Sequence, residues 1–377
     1  MNKVKTKNIM LYLSIILIVA LFGMCLAGCN LDASDEPVNE TDEAVVTDPS
    51  DDEHFEVIYS CCHPAGGLWE KEFLMPYFEE IEERTDGRVS FVYYPGNALV
   101  EVGENYDALV QGMVDMAQIV TIYNESTMPL LMMFNTPGIP FESGLAATYA
   151  LTEGMEILQA EDMDEVHHIM YMCTGPGNIV TIDPIRTLED MVGKQIRSSG
   201  KAPLGISALG GTPISMTMPE VPEALQRGVV DGSLHPWEVL LPWGLADIIN
   251  YVTETPFLFN STHALAFNKE KWDSFPADIQ DIITEVSLKH WEGPEGMAAF
   301  FDLNAHDSYE YTVHERGVEV IMLSDDELER WLEKIMPIME EEANKLDERG
   351  LPGSEAMGLV FELGEKYNEQ FKEYKFR

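Results

Sequence analysis

The chain reads as an α/β protein built from two similar lobes that face each other across a ligand cleft, and three observations carry that reading. An eight-residue pattern occurs twice. Ala108-Leu109-Val110-Gln111-Gly112-Met113-Val114-Asp115 returns 116 positions later as Ala224-Leu225-Gln226-Arg227-Gly228-Val229-Val230-Asp231. In each copy an apolar-periodic helix runs into Gly, and a Val-Asp pair opens a strand-like run. Glycine suits a helix end because it adopts the left-handed conformation without steric cost. Strand-like and helix-like runs also alternate along the chain, the spacing of α/β architecture. Finally, 377 residues with 45% apolar composition suffice for two hydrophobic cores. Clefts between such domains are where small ligands bind.

The N-terminus reads as an address. Lys3, Lys5 and Lys7 precede the apolar run Ile9 to Phe22, the form of a secretory signal. It ends in Leu26-Ala27-Gly28-Cys29, which resembles a bacterial lipobox, so residues 1–28 are expected to be cleaved and Cys29 lipidated. Residues 29–53 are expected to form an acidic disordered tether. Positions 30–53 hold ten Asp or Glu and no Lys, Arg or aromatic residue. Such a composition cannot bury enough apolar surface to offset its ordering entropy.

The body begins with a strand over 54–59, then the loop Cys61-Cys62-His63-Pro64-Ala65-Gly66-Gly67. A helix is predicted from about Trp69 to Thr85, a strand over 88–94, and then the first repeat with its strand over 115–120. In the second half, 194–197 reads as a strand, 202–209 as a helix, and the second repeat helix starts near Val221. Residues 263–269 read as a strand returning to the first lobe. Four helical patterns close the chain at 277–292, 297–315, 325–348 and 354–373, with Gly293-Pro294-Glu295-Gly296 as a kink or a break. The expected division is 54–174 plus about 263–302 for lobe I, and 175–262 plus about 303–377 for lobe II. Several crossings between lobes then form a hinge.

The formal net charge of −43 makes nucleic acid and anionic lipid poor partners, since both need basic patches. If the ligand is an anion, a locally placed cation must overcome the general repulsion, so each of the nine Arg is a candidate. Cys61 and Cys62 could pair only as a strained vicinal disulfide. With Cys173 they are expected to be small free side chains near strand ends.

Gly193-Lys194-Gln195-Ile196-Arg197-Ser198-Ser199-Gly200, followed by Ala208-Leu209-Gly210-Gly211-Thr212-Pro213-Ile214 and the block Glu223 to Gly232, resembles the substrate-binding proteins of tripartite ATP-independent periplasmic (TRAP) transporters. Asn268-Lys269-Glu270-Lys271-Trp272 and Thr85-Asp86-Gly87-Arg88 continue the likeness. The resemblance implies a two-lobe, periplasmic binding protein-like fold with hinge-crossing strands and a long helix. It further implies a cleft that closes over an organic acid and delivers it to a membrane permease driven by an ion gradient.

On that resemblance, Arg197 is expected to pair with the ligand carboxylate. Only Arg offers a planar fork of donors that meets both carboxylate oxygens and keeps its charge. Trp237 and Glu238 stand where family members contact ligand; the Trp face would cover an apolar part. Glu238 would accept a hydroxyl or share a cation, as in members that bind their acid with a metal ion, or is a solvated loop acid. Asn178 sits near the position where sialic acid-binding relatives have a second Arg, which argues against a ligand needing two. His63 and Tyr123 fall where the family places contacts to the distal end of the ligand, although an isolated His reads equally as structural. Trp69 is expected in the core. Met132, Met133, Met172, Met216 and Met218 read as core packing or as an apolar lining.

An enzyme is not expected. No His-Glu-x-x-His, Gly-x-Ser-x-Gly or Cys-x-x-Cys pattern occurs, and no cofactor is implied beyond a metal ion accompanying the ligand. The competing readings are the solute-binding protein of an ATP-driven importer and a ligand-sensing lobe of a signalling receptor.

Overall fold

The computed structural model describes residues 53–374. The signal segment, Cys29 and all but the last residue of the tether lie outside the described residues. Within them no helix is long and apolar enough to cross a membrane.

Two sheets organise the body. The first contains β1 (Phe55–Ser60), β2 (Val89–Tyr94), β3 (Met116–Val120), β4 (Val166–Cys173) and β10 (Thr262–Asn268), in the order β2-β1-β3-β10-β4. The second contains β5 (Asn178–Thr181), β6 (Gln195–Ser198), β7 (Thr212–Ser215), β8 (Gly232–His235), β9 (Tyr251–Thr253) and β11 (Glu319–Ile321), in the order β11-β9-β5-β8-β6-β7. β1 runs parallel to β2 and β3, and β6 runs parallel to β7 and β8. β10 returns from the second sheet to lie antiparallel between β3 and β4, which explains its burial at every position. The chain therefore crosses between the sheets around 174–177 and again around 254–261.

Helices cover the sheets. They are α1 (Met75–Arg84), α2 (Asn105–Val110), α3 (Gly144–Leu158), α4 (Leu188–Met191), α5 (Ala202–Ala208), α6 (Val221–Gln226), α7 (Lys269–Ser274), α8 (Ala277–Trp291), α9 (Phe300–Glu310), α10 (Asp325–Glu348) and α11 (Gly353–Gln370). The pattern read as one helix from Trp69 begins instead as a π-helical turn, Trp69–Leu74, before α1. Pro76 is the reason: it has no N–H to close the bond to the preceding turn. The Gly293–Gly296 stretch is a break, with Gly293 at φ +82°.

The repeat is a local structural unit. α2 and α6 each end in a Gly at positive φ, +69° at Gly112 and +66° at Gly228. The Gly112 N–H donates to Leu109 O and the Met113 N–H to Ala108 O; Gly228 and Val229 do the same to Leu225 and Ala224. This paired closure is the Schellman motif. The Asp that follows has a role the pattern did not reveal. Asp115 donates its N–H to Ile58 O and accepts the Ile58 N–H on Oδ2 at 2.8 Å. Asp231 makes the same two bonds to Gln195, the second also at 2.8 Å. Each Asp thus clasps the neighbouring parallel strand where pairing begins.

α11, which the sequence pattern assigned with lobe II, lies along α3. Tyr367 and Phe371 pack on Tyr149 with ring centroids 5.5 and 4.9 Å apart. Gly364 lets α11 also approach the loop before α3, because a Cβ there would meet Pro140 at 2.5 Å. α9 spans both halves. Phe300 and Phe301 belong to the core of the first sheet, and Ala305 to that of the second. Cys61, Cys62 and Cys173 are free thiols.

Candidate functional site

A cavity opens where the strands of both sheets end. Cys62 and His63 follow β1, Ile122 and Tyr123 follow β3, and Thr174 follows β4. Arg197 lies on β6, His235 ends β8, and Ser261 and His263 come from the start of antiparallel β10. Ligand sites in open α/β sheets form at the carboxyl ends of strands, because the connecting loops there can diverge without disturbing the sheet.

Arg197 is 2% exposed. Its neighbours in register are Ile214 on β7 and Ser233 on β8, so the residue is interior to the sheet. Nε and Nη2 donate to the Met216 carbonyl at 3.0 and 2.9 Å, and Nη2 also donates to the Tyr123 hydroxyl at 3.2 Å. No carboxylate pairs with it among the described residues, and no Asp or Glu lines the cavity. Burial lowers its pKa, yet a guanidinium keeps its charge inside proteins. The site therefore holds a fixed, buried positive charge that no carboxylate contacts directly; Glu220 acts on it only through the field between them.

Tyr123 joins the two halves. Its hydroxyl accepts from Arg197 and from the Met218 N–H at 3.1 Å, which leaves its own proton available to the cavity. Burial pushes its pKa up, so that proton is retained. His235 is buried beside Arg197, and both effects hold its imidazole neutral; it shares a 2.7 Å hydrogen bond with Ser233 Oγ. His63 is held down at about 4 by burial, and its Nε2 has no hydrogen-bond partner. His263 is held at about 3 by burial and by nearby His63. Its Nε2 meets Ser261 Oγ at 3.1 Å while Nδ1 is unpartnered.

With this geometry the chain can be set beside known proteins. Residues 62–346 match the family of bacterial extracellular solute-binding proteins, family 7. The chain belongs to this family. A TRAP periplasmic solute-binding protein from Desulfovibrio salexigens, solved as an open complex, shares 28% identity at a TM-score of 0.70, covering 83% of this chain and 96% of that one. One from Bordetella bronchiseptica, solved with (R)- and (S)-mandelate, shares 25% identity at a TM-score of 0.74, covering 82% and 99%. The C4-dicarboxylate-binding periplasmic protein of Rhodobacter capsulatus is 25% identical over 285 residues, 71% of this chain and 81% of the relative. The protein is thus an extracytoplasmic TRAP-type solute-binding protein with the two-lobe fold, and a binder, not an enzyme.

In this family 7 protein the six residues singled out from the sequence divide evenly. Arg197, Tyr123 and His63 line the cavity. Trp237 does not: it is buried in the core beneath the second sheet, edge-on to Tyr309 at 4.8 Å, and Trp243 supplies the indole at the cavity wall. Asn178 is buried in β5, where its Oδ1 accepts the Thr255 N–H at 3.1 Å, a structural bond across the crossing.

Glu238 lines an adjoining hollow with Trp69 and Asn304, and is not a solvated loop acid. It accepts the Gly175 N–H at 2.8 Å. Burial, with Asp302 nearby, pushes its carboxyl up to about 8. Asp302 accepts the Gly144 and Leu145 N–H groups that open α3, and burial raises it to about 6. Among the described residues no cluster of three or more His, Cys, Asp or Glu is arranged to hold a metal ion.

Met132, Met133 and Met172 are core, the Met216 carbonyl anchors Arg197, and Met218 lines the cavity. His235, Trp243, Phe259, His263 and Phe301 were not anticipated. His235 could have been, because it ends the strand opened by the second repeat. His263 could not, because its place depends on β10 entering the first sheet antiparallel.

Proposed function

We propose that this protein captures a small organic carboxylate on Arg197 and hands it to the membrane subunits of a TRAP transporter. The observation that carries the reading is the buried Arg197 guanidinium, which faces the cavity with no carboxylate of its own. A buried charge is costly unless paired, and an anionic ligand supplies the pair. The relatives support the same chemistry. Mandelate and C4-dicarboxylates both carry carboxylates, and the Desulfovibrio protein was solved with the C-terminus of a symmetry mate in its ligand-binding site.

Capture proceeds by hinge closure. Arg197 stands on the second sheet, while His63, Tyr123 and His263 come from elements of the first. A ligand touching both favours the closed arrangement by the contacts it makes only there. Isothermal titration of the wild type and Arg197→Ala with the preferred acid tests the assignment. A loss of about 2–5 kcal/mol is expected; a loss under about tenfold contradicts it. Arg197→Lys also weakens binding, because an ammonium does not reproduce the bidentate fork.

The signal-like segment and Leu26-Ala27-Gly28-Cys29 support anchoring through a lipid on Cys29, with residues 29–53 as the leash. Cys29→Ala is expected to shift the protein from the membrane fraction; unchanged partitioning contradicts the anchor.

A further inference from the structure

The cavity holds one permanent cation, Arg197, and no Lys, Asp or Glu among its lining residues. Its three imidazoles, His63, His235 and His263, are all held neutral by burial. A second carboxylate entering here loses its hydration and finds no cation to replace it. One guanidinium in a chain of net charge −43 thus fits a monoanion and disfavours a dianion.

The rest of the wall is mainly apolar, and Trp243, Phe259 and Phe301 bring aromatic rings to it. Ile122, Met218, Trp243, Phe259 and Phe301 surround the space between Arg197 on the second sheet and the two histidines on the first. Rings offer an incoming ring edge-to-face and offset contacts beyond simple burial. His63 and His263 flank Phe301, with ring centroids 6.4 and 4.8 Å from it. Each carries a buried ring nitrogen without a partner, His63 Nε2 and His263 Nδ1. Each nitrogen is a spare hydrogen-bonding atom on a side chain that lines the cavity. A neutral imidazole nitrogen donates or accepts according to tautomer, so this pair suits a hydroxyl in either role.

We infer, on the reading that Arg197 takes a carboxylate, that the cavity selects a monocarboxylate with an aromatic ring and a hydrogen-bonding group remote from the carboxylate, met by His63 and His263. This narrows the ligand from organic acids in general to hydroxylated aromatic monocarboxylates. It also assigns the two histidines as specificity determinants, with Arg197 determining affinity.

The test is titration of the purified protein with 3- and 4-hydroxybenzoate, benzoate, hexanoate and succinate. At least one hydroxybenzoate should bind about tenfold more tightly than benzoate, and succinate should bind about a hundredfold more weakly than either. His63→Phe and His263→Phe, each checked for an unchanged far-ultraviolet circular dichroism spectrum, should lose the hydroxyl preference. The readout is the ratio of hydroxybenzoate to benzoate affinity within each variant, which should fall to about one. Succinate binding as tightly as the aromatic acids, and abolished by Arg197→Ala, overturns the aromatic class while leaving carboxylate capture standing. So does hexanoate matching benzoate. Equal affinity for benzoate and both hydroxybenzoates overturns the role of the histidines. Binding unaffected by Arg197→Ala overturns this inference and the proposed function together.

Discussion

The segments 108–115 and 224–231 fold alike and lead to different chemistry. Each closes a helix on a left-handed Gly and clasps a neighbouring strand with an Asp. The strand after the first delivers Tyr123, whose hydroxyl bridges to Arg197; the strand after the second delivers His235, a neutral imidazole beside the same guanidinium. The repeated part is therefore the frame, and the ligand chemistry sits just beyond it, where the strands end. Backbone hydrogen bonds fix the frame and tolerate little change. The residues past the strand ends are free to differ between the two lobes.

The largest difference between the copies should appear in the clasps. Asp115 holds the Ile58 N–H and lies 3.6 Å from Lys271, whereas Asp231 holds only the Gln195 N–H and has no ion pair among the described residues. Asp115→Ala should cost about 2 kcal/mol and Asp231→Ala about 1 kcal/mol in urea unfolding. Equal costs would show that the clasps do not differ as their surroundings suggest.

Tyr123→Phe removes the bridge to Arg197 but keeps the ring. Carboxylate affinity should fall about five- to tenfold, with a modest loss of melting temperature because the Met218 N–H also loses its acceptor. An unaltered affinity would mean that the hydroxyl serves only the Met218 N–H.

The smallest effect concerns the crossing between the halves, where Glu238 stands with Asp302. A carboxyl held at about 8 when folded and near 4.5 when unfolded favours the folded state at low pH. That contribution is complete below about 4.5 and is lost as pH rises through about 8. Asp302, raised to about 6, acts in the same direction. Glu238→Gln should therefore gain roughly 2–4 °C in melting temperature relative to wild type between pH 5 and 8.5. A difference that stays flat with pH would place the Glu238 titration elsewhere.

Local patterns made the frame legible. The apolar periodicities located the long helices, and the Gly-x-Val-Asp repeats announced both parallel strand pairs. Arg197 was legible because its flanking motif resembles a known family. Tyr123 and His63 follow directly from strands that could be read. Trp237 and Glu238 were misplaced because a one-residue step along the turn after His235 decides which side chains meet the cavity and which meet the core. Sequence spacing does not resolve such a step. The roles of Trp243, Phe259 and His263 depend on long-range pairing, above all the antiparallel entry of β10, and of these elements only the returning strand left a local signal. α11 shows the same limit, because periodicity marks its apolar face but does not encode that Tyr367 on it meets Tyr149 of α3.

Carboxylate capture by Arg197 is tested most directly by a crystal structure of the protein with the acid it binds most tightly. Both carboxylate oxygens are expected within hydrogen-bonding distance of the Arg197 guanidinium, one of them also receiving the Tyr123 O–H, with the ligand body in the cavity between the two sheets. A ligand seated in the Glu238 hollow, or a carboxylate held by any group other than Arg197, would contradict it.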